Sequence, residues 1–214
     1  MNSATTRVLS ALVLLPALLA LIWWAPSLVF AAVMVGALSV GTMELGGMLG
    51  SPWKAFGFSL VYLAMPLALM VQIREHYGPG ALMMMIGVIV VSDSAQYYTG
   101  RAFGRRKLAP VISPKKTVEG AIGGAIIATI AGVLFARLWL PEAPMLAAAI
   151  ASLAMAIAGM AGDLFESALK RRAGIKDSGK LIPGHGGILD RIDSWLFAAP
   201  VFWVFLRVVV SGLR

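Results

Sequence analysis

The stretch SALKRRAGIKDSGKLIPGHGGILDRID, residues 167–193, lies between two long apolar segments and organises the interpretation of the whole chain. It carries six basic side chains, three aspartates, one histidine and a Gly-Gly pair. A loop that only joins two membrane helices needs no such concentration of polar groups. Cationic side chains beside carboxylates are typical of a site for a phosphate-rich ligand and a divalent metal.

Around this stretch the chain is strongly apolar, with 59% hydrophobic and 13% charged residues among 214. Soluble domains are about one quarter charged, and a helix of about 20 apolar residues crosses a bilayer. We therefore predict an all-α fold class, a polytopic integral membrane helical bundle of about seven transmembrane helices, forming a single membrane domain over residues 1–214. The predicted spans are 8–24, 27–49, 56–72, 81–100, 118–140, 145–169 and 194–211.

The first span has an alternative interpretation as a secretory signal, because it follows Arg7. Its length and the Trp23-Trp24 pair at its end, which suits a membrane interface, favour a span. The chain has no cysteine, which excludes disulfides and thiolate metal sites.

The distribution of basic residues predicts the orientation. The chain has 18 Lys and Arg against 10 Asp and Glu, a net charge of +8. Twelve of the basic residues fall in two loops, 101–117 and 170–191, which the positive-inside rule places in the cytoplasm. We expect a bacterial inner-membrane protein with a cytoplasmic N-terminus and active site. In a membrane protein this charge indicates contact with anionic lipid or an anionic substrate, and we expect no nucleic-acid partner.

Four carboxylates, those of Glu44, Asp93, Asp163 and Glu166, lie inside predicted spans. Ionisable groups at membrane depth are costly and usually face a polar cavity. At a rise of 1.5 Å per residue, Asp93 and Asp163 lie about 10 Å below the cytoplasmic surface, and Glu44 lies at a similar depth. For Glu44 the alternative of a purely structural role is stronger, because nothing polar follows it in its helix.

The spacing i, i+3, i+4 and i+7 places four polar residues on one helix face: Asp163, Glu166, Ser167 and Lys170. An internal salt-bridge stripe is the structural alternative for this set. Asp190 and Asp193 lie near the start of the last span, where they either bind a metal or stabilise the helix N-terminus. Oxygen ligands of this kind suit Mg²⁺ bound together with substrate phosphates.

The first basic loop contains Ser113-Pro114, followed by Lys115 and Lys116. We expect a helix to start at these lysines, so that ammonium and backbone N–H groups bind phosphate together. A purely topogenic role remains the alternative for Arg105 and Arg106. In the second loop, Pro183-Gly184-His185-Gly186-Gly187 predicts a turn whose backbone approaches a ligand closely. The only other histidine, His76, is predicted on the opposite side of the membrane, which argues against a His-based zinc site. His185 is then either a structural loop residue or a substrate contact.

These residues resemble the signature of the phosphatidate cytidylyltransferases, also called CDP-diacylglycerol synthases. The resemblance rests on S-x-L-K-R, then K-D-x-G, then I-P-x-H-G-G-I-x-D-R-I-D, within residues 167–193. A second matching run extends from Asp93 through Ser113-Pro114-Lys115-Lys116-Thr117 to Glu119-Gly120, so that residues 93–193 form a family-like catalytic region. Gln96 departs from the small residue usual in the family, and family members typically have additional N-terminal helices.

The resemblance implies transfer of the cytidylyl group of CTP to phosphatidic acid, giving CDP-diacylglycerol and pyrophosphate in phospholipid biosynthesis. It implies Mg²⁺, with a second cation as a further option, membrane lipids as partners and a homodimer as one option for assembly. The implied catalytic residues are Asp163, Asp190, Lys170 and Lys176, and the implied metal ligands are Asp163, Asp190 and Asp193. The implied substrate-binding residues are Asp93, Ser113, Lys115, Lys116, Thr117, Glu119, Ser167, Arg171, Asp177, Lys180, His185, Gly186, Gly187 and Arg191.

Two rival functions are compatible with parts of the pattern. A CTP-dependent lipid kinase of the polyprenol or dolichol type shares the membrane setting but releases CDP in place of pyrophosphate. An ion-coupled transporter also holds acids in its spans, although transporters often show pseudo-symmetric halves. Here the polar groups cluster at one face and in the C-terminal half, which favours the transferase.

Overall fold

The computed structural model describes residues 3–181 and 186–213. Its helices are α1 (Ser3–Trp23), α2 (Ser27–Leu49), α3 (Pro52–Ser59), α4 (Met65–Tyr77), α5 (Pro79–Phe103), α6 (Val118–Trp139), α7 (Met145–Arg172) and α8 (Leu189–Phe205). Short π-helical segments, Leu60–Ala64 and Leu206–Val210, follow α3 and α8, and a 3-10 turn spans Ser211–Leu213. His185 lies outside the described residues.

Six helical segments are long and apolar enough to cross a membrane: Ser27–Leu49, Pro52–Tyr77, Pro79–Phe103, Val118–Trp139, Met145–Arg172 and Leu189–Val210. They correspond to the second to seventh predicted spans. The first predicted span corresponds to a shorter apolar helix, Leu12–Trp23 within α1, which is not among these six. The predicted helical membrane bundle is therefore confirmed, and the chain is an integral membrane protein.

The segment from α3 to α4 is one span interrupted by a π-helical turn at Leu60–Ala64. Pro66 explains the interruption, because proline has no N–H to donate and its ring clashes with the carbonyl four residues earlier. The neighbouring Met65 N–H bonds instead to the Leu60 carbonyl, five residues back. Such π-bulges are frequent at functional sites.

A row of small residues brings α5 and α6 close together. Gly120, Gly124, Ala128, Gly132 and Ala136 recur every four residues on the buried face of α6. A Cβ at Gly120 would lie 2.7 Å from the Gln96 carbonyl oxygen of α5, so glycine is required for this approach. Small residues at helix contacts are the usual means of close packing within a bilayer.

The first basic loop contains a small antiparallel sheet that the sequence did not predict. Strand β1 (Lys107–Ala109) pairs with β2 (Ser113–Thr117), with Lys107 opposite Thr117 and Ala109 opposite Ser113. Pro114 disfavours helical backbone at Ser113, and α6 begins only at Val118. Lys115 and Lys116 therefore lie on the strand before the helix, and the expectation that they occupy the helix start is wrong.

Both basic loops lie at the same end of the bundle. The first joins α5 to α6, the second joins α7 to α8, and α6 and α7 form an antiparallel pair between them. At the opposite end, Arg74 of α4 donates hydrogen bonds to the carbonyls of Ile22 (2.8 Å) and Ala25, and its guanidinium lies 4.8 Å from the centre of the Phe30 ring. The two basic loops thus lie at one end of the bundle, and Arg74 lies at the other end, about the length of a span away.

Candidate active site

The centre of the polar end of the bundle is an ion-pair cluster between α7 and α8. The Lys170 ammonium donates to Glu166 Oε2 and to Asp190 Oδ1, each at 2.6 Å. All three side chains are at most 10% exposed. Glu166 and Lys170 therefore form the salt bridge that was the structural alternative for this face of α7, and the lysine also bridges to α8.

Asp190 also fastens the second basic loop to α8. Its Oδ2 accepts hydrogen bonds from the Ser178 N–H (2.9 Å), the Ser178 hydroxyl (3.0 Å) and the Gly187 N–H (2.8 Å). With Lys170 on the other oxygen, both oxygens of this carboxylate are engaged by protein groups. Asp190 thus fixes the loop conformation in the described structure, while its predicted role as a metal ligand stays a prediction.

Glu44 of α2 reaches the same loop from a third helix. Its carboxylate accepts hydrogen bonds from Ile188 N (2.9 Å) and Leu189 N (3.0 Å), and it shares the single hydroxyl hydrogen of Ser178, whose Oγ lies 2.8 Å away, with Asp190. A carboxylate on the first N–H groups of α8 satisfies unpaired donors and complements the positive end of the helix dipole. A Cβ at Gly179 would lie 2.5 Å from Glu44 Oε1, so the loop needs a glycine there. The sequence favoured a structural role for Glu44 but did not reveal its partners, because they lie more than 130 residues away.

The first basic loop contacts α7 through an ion pair between Lys116 and Asp163. These side chains are 19% and 28% exposed, more than those of the Lys170 cluster. Ser167 Oγ donates to the other oxygen of Asp163 at 3.3 Å. Part of each side chain therefore lies at the edge of solvent, while the Lys116 Nζ atom itself is buried against Asp163.

Two residues predicted to bind substrate have clear structural contacts instead. The Thr117 hydroxyl accepts the Gly120 N–H at 3.1 Å and so caps α6. Glu119 accepts the backbone N–H groups of Arg105 (3.0 Å) and Arg106 (3.1 Å) and pairs with the Arg106 side chain. Both residues shape the β-hairpin loop, and their substrate contacts stay predictions.

A cavity of about 610 Å³ opens between this loop, α5, α6 and α7. Its walls combine acids, cations and hydroxyl groups with glycine backbone; the lining includes Asp93, Gln96, Tyr97, Arg101, Ser113, Lys115, Lys116, Thr117 and Asp163. Gln96, the departure from the family pattern, donates to Asp93 Oδ1 at 3.2 Å and thereby orients one of the acids. The volume lies within the range of small-molecule sites, which is about 300–1,000 Å³.

Carboxylates from three helices converge beside this cavity. Asp93 of α5, Asp163 of α7 and Asp193 of α8 lie within electrostatic reach of one another, and Asp193 is also near Glu166. Lys116 and Lys170 form ion pairs within this set and with Asp190, so carboxyl groups outnumber ammonium groups five to two in this cluster. In the part of the chain that the structure describes, Glu166 Oε1 is buried without a hydrogen-bond partner.

This donor set fits a hard divalent cation such as Mg²⁺, which prefers oxygen ligands and retains several waters. No group of three His, Asp or Glu side chains among residues 3–181 and 186–213 is already arranged as a metal cage. A cation held by one or two carboxylates plus waters and substrate phosphates needs no such cage.

The other predicted residues of the second loop lie further out. Lys176, Asp177 and Lys180 are exposed, and Arg171 donates to the Ile175 carbonyl at 2.9 Å. Gly186 has a left-handed backbone with φ of 82°, and a Cβ there would meet Asp190. Arg191 is exposed on the first turn of α8. The structure brings Gly186 and Gly187 to Asp190, whereas Lys176 and Lys180 remain at the surface.

Comparison with known proteins then decides the family. Residues 51–209 match the profile of the cytidylyltransferase family. The chain belongs to the cytidylyltransferase family. The match covers every element that contributes to the site except α2, which supplies Glu44.

Individual members of the cytidylyltransferase family are also similar. The chain is 41% identical to the phosphatidate cytidylyltransferase of Bacillus subtilis over 150 residues, 69% of this chain and 56% of the relative. It is 37% identical to the phosphatidate cytidylyltransferase of Thermotoga maritima over 174 residues, 75% of this chain and 61% of the relative. It is 48% identical to the uncharacterized protein YnbB of Escherichia coli over 130 residues, 60% of this chain and 43% of the relative. The chain spans about half the length of the curated relatives that it matches.

Proposed function

We propose that this protein transfers the cytidylyl group of CTP to phosphatidic acid, forming CDP-diacylglycerol and pyrophosphate. The observation that carries the proposal is the meeting of Lys116, Asp163 and Asp93 in an open polar cavity at one end of a membrane bundle. Two relatives named phosphatidate cytidylyltransferase support the choice of substrates. A site at this depth lets a lipid phosphate meet a water-soluble nucleotide.

In the proposed reaction, a phosphate oxygen of phosphatidic acid attacks the α-phosphorus of CTP. The new O–P bond forms as the bond between the α-phosphorus and its bridging oxygen breaks, and pyrophosphate leaves. Such transfers depend on positioning and charge neutralisation. Lys115 and Lys116 line the cavity and are the cations best placed to neutralise phosphate oxygens.

We propose that Asp163 and Asp193, with Asp93 nearby, hold the divalent cation. When bound, Mg²⁺ would neutralise phosphate charge and orient the nucleotide. Asp190 is the less favourable ligand, because its two oxygens already accept from Lys170, Ser178 and Gly187. Its contribution is to hold the loop against α8, and through Lys170 to keep α7 in register with it.

We also propose that the site faces the cytoplasm of a bacterial cell, across the inner membrane. The support is the concentration of Lys and Arg in the two loops at the site's end of the bundle. This orientation places the cavity where CTP is available.

The deciding experiment supplies purified protein in lipid with radiolabelled CTP, phosphatidic acid and Mg²⁺. We expect a lipid-soluble cytidine product and one pyrophosphate per turnover. Release of CDP together with a phosphorylated polyprenol acceptor would identify a lipid kinase instead. Absence of both products, in a folded preparation that binds CTP, would contradict the proposed reaction.

A further inference from the structure

A second cavity, of about 400 Å³, opens on the membrane-facing side of the bundle. It is lined by apolar side chains from the α3–α4 span, α7 and α8: Phe58, Val61, Tyr62, Met65, Pro66, Phe165, Leu196, Phe197 and Pro200. We call it the lipid groove. Two of its lining residues are prolines within helices, and Pro66 follows the π-helical turn that shapes one wall.

The lipid groove is open to the bilayer. Val61 and Met65 line it and are 69% and 44% exposed, while neighbouring Leu60 is 53% exposed on the same span. In a membrane-spanning segment such apolar side chains face hydrocarbon. A dry apolar cavity open to the bilayer will fill with acyl chain, since hydrocarbon is the surrounding solvent.

The inner end of the groove adjoins the carboxylate cluster. Phe165 precedes Glu166 on α7, and Phe197 lies one turn beyond Asp193 on α8. The rings of Phe58, Tyr62, Phe165 and Phe197 form one contiguous cluster of mostly tilted and edge-on pairs, with centroid separations from 5.2 to 6.3 Å. The groove therefore lies next to the carboxylate cluster along α7 and α8.

Tyr62 distinguishes this groove from ordinary lipid-facing surface. The residue is only 6% exposed, and its hydroxyl has no hydrogen-bond partner among the described residues. It lies within electrostatic reach of Glu166 and Asp193. A buried hydroxyl without a partner is costly, and phenylalanine would serve packing alone equally well. The hydroxyl is thus a free donor where the apolar and polar parts of the site meet.

We infer that the lipid groove binds one acyl chain of the lipid phosphate substrate and that the Tyr62 hydroxyl donates to an ester oxygen at the head of that chain. This inference rests on the proposed function for the identity of the lipid. The groove admits hydrocarbon of any phospholipid, whereas the adjoining lysines and cation-binding carboxylates select a phosphate monoester.

Kinetics of Tyr62→Phe and Val61→Trp test the two parts separately. Tyr62→Phe should raise the KM for dioleoyl phosphatidic acid about two- to tenfold, the equivalent of one neutral hydrogen bond. Its thermal stability should be unchanged or higher, because no protein partner is lost. Val61→Trp fills the groove and should raise the same KM about three- to tenfold, since only packing within hydrocarbon is lost.

Three controls make these effects specific. The KM for CTP should stay at the wild-type value in both variants. With water-soluble dihexanoyl phosphatidic acid, the Val61→Trp effect should disappear while the Tyr62→Phe effect remains, because the short lipid keeps its ester oxygens. Val208→Trp places the same bulk on a 71% exposed site of the final π-helical segment and should have wild-type kinetics. Wild-type KM values for dioleoyl phosphatidic acid in both groove variants would overturn the inference.

Photolabelling tests the groove without relying on turnover. Phosphatidic acid with a diazirine in one acyl chain should label peptides that contain Tyr62 and Phe197, and unlabelled phosphatidic acid should compete better than phosphatidylcholine. Labelling spread over all outer faces, or equal competition by both lipids, would overturn the inference. Disulfide-linked dimers of Val61→Cys, in a chain without other cysteines, would instead assign the groove to a second copy.

Failure of the inference and failure of the proposed function are distinguishable. If the wild-type protein makes no CDP-diacylglycerol but groove labelling is still competed by phosphatidic acid, only the reaction assignment falls. If synthesis occurs but neither groove variant nor photolabelling responds as expected, the lipid chain binds elsewhere.

Discussion

The two lysine–carboxylate clusters at the polar end of the bundle differ in burial and in the number of their partners. Lys170 is 10% exposed and bridges Glu166 and Asp190, which are themselves almost fully buried. Lys116 pairs with Asp163 at the edge of an open cavity, where the side chains are 19% and 28% exposed. A buried lysine with two charged partners holds helices together, whereas an ion pair that borders an open cavity can exchange partners with a ligand. The same residue types therefore serve stability at one place and, we propose, chemistry at the other.

The largest effect is expected from breaking the buried cluster. Lys170→Met should lower the free energy of unfolding by about 3–5 kcal/mol, because it leaves two buried carboxylates without their cation. Thermal unfolding in detergent measures the loss. The matched change Lys116→Met should lower the free energy of unfolding much less, because the Asp163 side chain keeps contact with solvent. Equal losses in the two variants would remove the distinction between the clusters.

Asp163→Asn should separate chemistry from stability. The side chain keeps its size but loses the charge proposed to hold a cation, so turnover should fall about a hundred- to a thousandfold, or about 2.7–4 kcal/mol. The thermal transition should change little but should lose its response to Mg²⁺ with CTP. Near-normal turnover would place the metal site elsewhere.

Asp190→Asn provides the comparison on the buried side. Because Asp190 accepts from Lys170, Ser178 and Gly187, this variant should lose both turnover and about 1.5–3 kcal/mol of stability, the value of hydrogen bonds to a charged group. Unfolding curves and turnover should be measured on the same preparations. A stable but inactive Asp190→Asn protein would show that Asp190 acts on the ligand and is not needed for the fold.

Lysines at two levels of exposure should affect the apparent KM for CTP to different degrees. Lys116→Ala should raise the apparent KM for CTP about ten- to a hundredfold, the value of one charge-assisted contact. Lys176→Ala and Lys180→Ala change exposed residues of the second loop. Each should raise the apparent KM for CTP by an equal or smaller factor. Membrane insertion should stay normal in all three. Wild-type kinetics in the loop variants would leave them only a topogenic role.

The smallest and most local effect concerns Glu44. Glu44→Gln removes the negative charge that Glu44 of α2 places beside the first turn of α8. The free energy of unfolding should fall by about 1 kcal/mol, the typical value of a helix cap. Since Glu44 approaches the loop and not the open cavity, the KM for CTP should be nearly unchanged. A large change in this KM would assign Glu44 to ligand binding.

Side-specific labelling tests the orientation on which both clusters depend. Cysteines at Val111 and Pro141, exposed sites at opposite ends of α6, should react from opposite sides of the membrane. Reaction of both from one side would contradict the predicted topology.

The sequence alone determined the membrane class, six of the helical spans and the end of the bundle that carries the two basic loops. These properties follow from local composition: runs of apolar residues set helix length, and charges set loop positions. The i, i+3, i+4 and i+7 pattern on α7 likewise predicted the face that carries Asp163, Glu166 and Lys170, because helix geometry is fixed by the backbone.

Only the tertiary structure decided which partner each charged group takes. Lys170 could have faced a ligand or a carboxylate, and Asp190 comes to it from another helix 20 residues later. Glu44 accepts hydrogen bonds from Ile188 and Leu189, which follow it by 144 and 145 residues in the chain. Tyr62 approaches Glu166 from a different span, whose first acidic residue is Glu75 near its end. No local pattern encodes such contacts. These contacts arise because the packing of small residues and the π-helical turn before Pro66 set the distances between helices. Those distances decide whether a charged group is buried in an ion pair between helices or remains accessible to a ligand.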